Sequence, residues 1–197
     1  MDFQLIIMAL TGGYLLGSIP FGLLIAKAAG QGDIRNIGSG NIGATNVLRT
    51  GRKDLAALTL VLDAGKAGIA ALIINQVIGF PYGLFAGAAA LLGHCFPVWL
   101  GFKGGKGVAT FFGCLLATAW PVGLASMGVW LATAFIFKMS SLAALVAAAA
   151  CPLIAYLFGH HEVAIMAACL TVLIFIRHKD NIKRILSGTE SKIGQKA

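Results

Sequence analysis

The first segment whose residue types suggest chemistry is the Ser-Asn loop, residues 38–46, with Arg49 just beyond it. It reads Gly-Ser-Gly-Asn-Ile-Gly-Ala-Thr-Asn. Glycines, short hydroxyl and amide side chains and a guanidinium can together surround an oxyanion with backbone N–H groups and charged donors. The same composition is typical of a polar turn whose arginines only fix membrane orientation. On this segment alone the two interpretations are evenly balanced.

The second segment is the Lys-Gly loop, residues 101–107, which reads Gly-Phe-Lys-Gly-Gly-Lys-Gly and leads into an apolar run from Val108. Glycines before a helix leave its first N–H groups available, and a helix N-terminus favours an anion. Lys106 adds a mobile positive charge. The loop is not a Walker A motif, because its glycine spacing differs and Gly107 stands where Ser or Thr would hold magnesium. We therefore predict phosphate binding without nucleotide hydrolysis, in preference to a turn with two orienting lysines.

The third segment is Arg177-His178-Lys179-Asp180-Asn181, at the end of the last apolar run. If the helix continues, His178 and Asn181 share one face, since they are three residues apart. Taken alone, this segment is more typical of a stop-transfer cluster with a snorkelling arginine.

Two further polar groups favour structural interpretations. Asp63 and Lys66 lie three residues apart in an apolar run, which predicts a structural ion pair. His160-His161-Glu162 has no second ligand cluster, so we expect a solvated turn and no metal site.

The elements that must position these segments are membrane helices. The chain has 197 residues, of which 58% are hydrophobic and 11% charged, and its mean hydropathy is +0.88. This predicts one all-α polytopic membrane domain over residues 1–197. The seven expected spans run near 4–28, 55–78, 83–100, 107–120, 122–137, 141–158 and 162–176. The first Lys or Arg is Lys27, so we expect the first span to be retained and not cleaved as a signal peptide.

The charge distribution predicts orientation. The net charge of +8 comes from basic residues gathered in alternate loops, near 29–54, 101–106, 138–140 and the tail from Arg177, and the intervening loops contain no Lys or Arg. By the positive-inside rule the basic loops are predicted to be cytoplasmic. Membrane orientation therefore explains the positive charge better than nucleic-acid binding does. Seven spans then place the N-terminus outside and the C-terminus inside, and the three polar segments on one face. The four cysteines show no C-x-x-C spacing, and we expect free, buried thiols.

Taken in order, these segments resemble the bacterial acyl-phosphate-dependent glycerol-3-phosphate acyltransferases, the PlsY family. The resemblance covers nearly the whole chain, with seven spans. Its motifs are Gly17-Ser18-Ile19-Pro20-Phe21-Gly22, the Ser-Asn loop, Gly93-His94-Cys95-Phe96-Pro97, Phe102-Lys103-Gly104-Gly105-Lys106-Gly107-Val108-Ala109-Thr110, Arg177-His178 with Asn181, and Gly188-Thr189-Glu190.

The resemblance implies transfer of an acyl chain from acyl phosphate to the 1-hydroxyl of glycerol 3-phosphate, giving lysophosphatidic acid and phosphate at the cytoplasmic face of the bacterial inner membrane. It implies five catalytic residues: Ser39, Arg49, Lys106, His178 and Asn181. Substrate or phosphate contacts are expected from Gly40, Asn41, Asn46, Lys103, Gly104, Gly105, Gly107 and Ser141. Ala144 replaces a serine common in the family, and Glu190 is expected to be structural.

Acyl phosphate is already activated, so we expect no cofactor, metal, enzymatic nucleophile or obligate protein partner, only positioning and charge stabilisation. No His is followed five residues later by Asp, as in thioester-dependent acyltransferases. The proton acceptor is either His178 or the phosphate of the substrate. The alternative function is a membrane transporter for an organic phosphate, although the polar groups cluster at one face and no repeat relates two halves.

Overall fold

The computed structural model describes residues 1–194, and every regular element within them is helical. The α-helices of this part of the chain are α1 (Phe3–Gly17), α2 (Phe21–Ala28), α3 (Ala44–Val47), α4 (Lys53–Ile78), α5 (Tyr82–Cys95), α6 (Val108–Thr118), α7 (Trp120–Phe137), α8 (Ser140–Leu157), α9 (His161–Arg177) and α10 (Lys179–Leu186). The all-α fold expected from the composition is confirmed.

Each of the seven predicted spans coincides with a helical stretch. Five stretches are long and apolar enough to cross a membrane: 3–28, 53–78, 82–100, 120–137 and 140–157. The bent pair α9 and α10 meets the same criterion across a 65° break, and α6 is a shorter apolar helix. The N-terminus outside and the C-terminus in the cytoplasm stay predictions, as does the number of crossings.

The first predicted span is broken between α1 and α2. Pro20 lies at the break, as the N-cap residue of α2. Proline has no N–H group and its ring obstructs the preceding turn, so a helix cannot run through it unchanged. The break leaves the carbonyl of Ile19 able to accept a hydrogen bond from the side chain of Lys66, at 3.0 Å.

Contacts divide the chain into two compact units, Met1–Thr118 and a second unit that begins at Ala119. The expectation of a single domain over residues 1–197 stays a prediction.

In the first unit, small residues bring α1 and α5 into close contact. A Cβ atom added to Gly13 would collide with the backbone of Ala86, and one added to Gly17 with that of Ala90. Hydrocarbon gives helices no hydrophobic reason to associate, so such close packing is a main source of attraction between them. The order of the two contacts shows that α1 and α5 run in parallel.

Helix α4 runs antiparallel to α5. Its Ala71 faces Gly87, and Asn75, one turn later, faces Gly83, one turn earlier. The segment that leads from α2 into α4 and the segment that leads from α5 into α6 therefore lie at the same end of the first unit. These segments contain the Ser-Asn loop and the Lys-Gly loop.

In the second unit, α8 and α9 are joined by a hydrogen bond within the helical layer. The hydroxyl of Thr171 donates to the carbonyl of Ala148 at 2.7 Å. One cysteine prediction is wrong here: Cys169 is exposed, whereas Cys95, Cys114 and Cys151 are buried. Cys169 lies on the outer face of α9 near the exposed side chain of Val172, a face that suits lipid contact.

The chain after α10 turns back onto the second unit through Glu190. Gly188 adopts a positive φ of +71° in this turn. The Glu190 carboxylate accepts hydrogen bonds from Ser141 Oγ (2.6 Å), Asn181 Nδ2 (2.6 Å) and Arg184 Nε (2.7 Å). Burial alone would raise the pKa of Glu190, but these three donors outweigh it and hold the pKa below its ordinary value. The structural role expected for Glu190 therefore has a definite form: it joins the tail to α8 and α10.

Replacing Glu190 by Gln should lower the free energy of unfolding at pH 7 by about 1.5–3 kcal/mol, because hydrogen bonds to a charged acceptor are weakened. A carboxyl group with a lowered pKa contributes its stabilisation above its ordinary pKa of about 4.3 and loses it as the pH falls through the folded-state value. The difference between wild type and Glu190→Gln should therefore shrink below about pH 4. Unfolding in detergent from pH 7 to pH 3 measures this. The matched control is Glu162→Gln, at an exposed position, and equal stability of Glu190→Gln and wild type at pH 7 would contradict the assignment.

Candidate active site

The Ser-Asn loop is organised around the buried side chain of Asn46. Its Nδ2 donates to the carbonyl of Ile34 at 2.7 Å, and its Oδ1 accepts from the backbone N–H of Ser39 at 3.2 Å and from Arg49 Nη1 at 3.4 Å. The amide thus connects the loop to Ile34 before it and to Arg49 after it, a role that its sequence position did not predict. Asn41 is also used locally, since its Oδ1 accepts from the N–H of Ile42 at 3.0 Å. Substrate contacts by Asn41 and Asn46 stay predictions.

Two glycines let the Ser-Asn loop pass close to Arg49. Gly38 and Gly40 have positive φ values of +53° and +66°, which residues with a Cβ atom adopt at a cost. A Cβ atom at Gly38 would lie 2.5 Å from Arg49 Nη1 and 2.9 Å from Asn46 Oδ1. The glycines therefore serve the shape of the loop, and the exposed Ser39 lies between them.

The arginines of this region differ in their partners. Arg35 pairs with Asp33 at 2.6 Å, and Arg52 pairs with Asp54 at 2.5 Å. The hydrogen bond to Asp33 raises the pKa of Arg35, and the same bond holds the pKa of Asp33 below its usual range. Arg49 instead reaches Asn46 within the loop. Arg49 is thus the guanidinium positioned beside Ser39, and its catalytic role stays a prediction.

The Lys-Gly loop is fixed to the end of α5 by its backbone. The N–H of Gly104 donates to the carbonyl of Cys95 at 3.1 Å, and the N–H of Gly105 donates to that of His94 at 3.0 Å. These two glycine N–H groups therefore already have acceptors within the protein. Lys106 is half-buried next to the start of α6, whereas Lys103 is exposed. Of the two lysines, Lys106 is the less exposed and the nearer in sequence to the start of α6.

A buried polar cluster lies directly beneath the Lys-Gly loop. Lys66 Nζ is 2.9 Å from Asp63 Oδ1, so the predicted ion pair is confirmed. His94 completes the cluster, with its Nδ1 2.9 Å from Lys66 Nζ. A Cβ atom at Gly105 would collide with His94 Nε2. The contact of His94 with Lys66 was not predicted. A buried ammonium has three N–H groups and one carboxylate cannot satisfy them all, so a further acceptor could have been expected from the sequence.

In the second unit, Ser141, His178 and Asn181 are all buried. The Ser141 hydroxyl proton is donated to Glu190, and a phosphate oxygen could use that proton only after exchange with the carboxylate. Asn181 Nδ2 is likewise donated to Glu190, but Asn181 Oδ1 is buried and has no hydrogen-bond partner among the described residues. That oxygen can accept a hydrogen bond from a hydroxyl group.

His178 lies at the break between α9 and α10, so the helix does not continue straight, which was the condition for a shared face with Asn181. Its Nδ1 is 2.8 Å from the carbonyl of Ile174. A carbonyl oxygen only accepts, so Nδ1 carries the proton and Nε2 has the lone pair in the neutral ring. This tautomer is the one that a proton acceptor at Nε2 requires. His178 and Asn181 are both buried within the second unit.

Within residues 1–194, no group of three or more His, Cys, Asp or Glu side chains is placed to hold a metal ion. The site residues are therefore hydroxyl, amide, imidazole and cationic groups in two sets. Ser39, Arg49 and Lys106 belong to the first unit, and Ser141, His178 and Asn181 belong to the second.

Comparison with known proteins identifies the family of this chain. A family profile described as "Glycerol-3-phosphate acyltransferase" matches residues 7–188. A glycerol-3-phosphate acyltransferase of Maricaulis maris (strain MCS10) is 65% identical over 188 residues, 95% of this chain and 87% of the relative. Two crystal structures of PlsY, an integral membrane glycerol 3-phosphate acyltransferase, are also similar. Its glycerol 3-phosphate form has a TM-score of 0.90 at 42% identity, over 96% of each chain. Its lysophosphatidic acid form has a TM-score of 0.88 at 41% identity, over 96% of this chain and 95% of that one. The chain belongs to the glycerol-3-phosphate acyltransferase family of integral membrane enzymes.

Proposed function

We propose that this enzyme transfers an acyl chain from acyl phosphate to the sn-1 hydroxyl of glycerol 3-phosphate and releases lysophosphatidic acid and phosphate. The proposed catalytic residues are Ser39, Arg49, Lys106, His178 and Asn181, acting in the bacterial cytoplasmic membrane on the cytoplasmic side. Substrate and product are supported by the PlsY structures, whose two forms are named for glycerol 3-phosphate and lysophosphatidic acid.

The observation that carries the proposal is the position of the two loops of the first unit. Both lie at the same end of this unit, and internal hydrogen bonds fix each loop next to a cationic residue. Arg49 is held beside Ser39 through Asn46, and Lys106 follows two glycines bonded to the end of α5. Two cations in pre-organised loops suit a reaction in which one phosphate is bound and another departs.

The reaction balances without an enzymatic nucleophile. The hydroxyl oxygen of glycerol 3-phosphate attacks the carbonyl carbon of the acyl phosphate, a tetrahedral oxyanion forms, and the carbon–oxygen bond to phosphate breaks. The enzyme has to hold the two reactants and stabilise negative charge on the oxyanion and on the departing phosphate. The arginine, lysine, hydroxyl and amide groups of the candidate site suit these tasks.

The hydroxyl proton has two candidate acceptors. Neutral His178 has its lone pair on Nε2, because Nδ1 donates to Ile174, so general-base catalysis is chemically available. The phosphate of a bound substrate is the other acceptor. A phosphate transporter, the alternative function, has lost its support because the chain belongs to an acyltransferase family.

The donor is tested by incubating purified enzyme with labelled glycerol 3-phosphate and either acyl phosphate or an acyl thioester, in a chelator and without nucleotide. We expect labelled lysophosphatidic acid, acylated at sn-1, from acyl phosphate only. Transfer from the thioester at an equal rate would contradict the proposed donor. Loss of all activity in the chelator, restored by magnesium, would contradict the metal-free reaction.

Lys106→Ala should remove a charge-assisted contact of about 1.5–3 kcal/mol, which is roughly a tenfold to hundredfold loss in kcat/KM with the protein still folded. Lys106→Arg should remain impaired, because a planar guanidinium differs in size and donor direction from an ammonium. Steady-state kinetics with both substrates varied measures these values.

The matched control is Lys103→Ala, in the same loop but exposed. It should lose less activity than Lys106→Ala. Near-normal kcat/KM for Lys106→Ala at limiting concentrations of both substrates would remove Lys106 from the phosphate site.

A further inference from the structure

We propose that the buried cluster of Asp63, Lys66 and His94 is a positioning device that holds the Lys-Gly loop, and through it Lys106, in its substrate-binding position. The three residues act through the loop and do not touch the substrate. This inference rests on the proposed role of the Lys-Gly loop in binding a substrate phosphate.

Lys66 contacts acceptors on three different elements of the first unit. Its ammonium has three N–H groups, and three acceptors lie within 3.0 Å of it: Asp63 Oδ1 at 2.9 Å, His94 Nδ1 at 2.9 Å and the carbonyl of Ile19 at 3.0 Å. The side chain is almost fully buried, with 1% exposed. The lysine therefore connects α4 to the break before α2 and to the end of α5, through an ion pair with Asp63 and hydrogen bonds to Ile19 and His94.

The contact with Lys66 orients the ring of His94. An ammonium cannot accept a hydrogen bond, so Nδ1 of His94 accepts and the ring proton belongs on Nε2. With Nδ1 held by Lys66, the Nε2 edge of the ring lies against Gly105, where a Cβ atom would collide with it. A ring held in this way forms a rigid wall for the loop.

The backbone at the end of α5 also holds the Lys-Gly loop. The carbonyls of His94 and Cys95 accept the N–H groups of Gly105 and Gly104 at 3.0 and 3.1 Å. His94 thus holds Gly105 in two ways: its ring lies against Gly105, and its carbonyl accepts the Gly105 N–H. Lys106 follows immediately, so a shift of the ring or of this backbone moves the ammonium that is proposed to meet phosphate.

A cluster that only stabilised the fold would show a different response to substitution. Asn at position 94 places an amide oxygen near the position of Nδ1, so Lys66 keeps its acceptor, but its side chain ends before Gly105. A purely structural role therefore predicts normal kinetics for His94→Asn. A positioning role predicts weaker substrate binding in a folded protein.

The test compares His94→Asn, Gly105→Ala and the double variant with wild type in the full-length enzyme. We expect His94→Asn and Gly105→Ala each to raise KM for glycerol 3-phosphate about tenfold, with a smaller change in kcat, because the loop is displaced but its groups remain. The double variant should have a KM no higher than that of the worse single variant, because Asn leaves room for the added methyl group. Gly12→Ala is the control, since a Cβ atom at Gly12 meets nothing within 4 Å.

Because KM does not depend on the fraction of active enzyme, reduced folding of a variant does not imitate the effect. Wild-type KM in Gly105→Ala, or in a folded His94→Asn, would overturn the inference. If Lys106→Ala is impaired while those variants are normal, only the positioning role fails; if Lys106→Ala is itself normal, the phosphate-loop proposal fails first.

Discussion

An ammonium group inside a membrane-spanning helix has to find three acceptors within the protein, because hydrocarbon offers none. Lys66 finds them in three different elements: a carboxylate on its own helix, a carbonyl released at the Pro20 break and an imidazole at the end of α5. Several local features depend on this requirement. The broken first span supplies one acceptor, and the orientation of His94 supplies another. The Lys-Gly loop then packs on the residue whose ring Lys66 holds.

Asn46 and Glu190 likewise use their polar atoms in hydrogen bonds within the protein. Asn46 uses both ends of its amide inside the Ser-Asn loop, and Glu190 uses both carboxylate oxygens on donors from α8 and α10. Each of these two side chains thereby fixes a neighbouring candidate site residue. Arg49 is beside Ser39 because Asn46 is fixed, and Asn181 is fixed because Glu190 returns to it. Pre-organised donors of this kind suit an activated substrate, which needs charge stabilisation more than it needs a nucleophile.

The helices were predictable because long apolar runs in a chain with 11% charged residues can be satisfied only as membrane helices. The Asp63–Lys66 pair was predictable from spacing, since residues three apart share a helix face. His94 was not, because its partner Lys66 is 28 residues away and no spacing rule connects two helices. The loop-organising role of Asn46 was missed for a similar reason, since its main partner is a backbone carbonyl. The exposure of Cys169 was missed because composition does not tell the lipid-facing side of α9 from its packed side. The bend at His178 was missed because the polar residues there also suit a continuous helix. Which residues act on the substrate is a matter of chemistry, and the catalytic assignments stay predictions.

The central claim is that the enzyme positions an activated donor and stabilises charge, with no acyl-enzyme intermediate. It is tested most directly by the intact mass of the purified protein after incubation with acyl phosphate alone. Without an acyl-enzyme intermediate, we expect an unmodified mass and no phosphate release above the enzyme-free rate until glycerol 3-phosphate is added. An increase in mass by one acyl group, with a stoichiometric burst of phosphate before the acceptor is present, would contradict it.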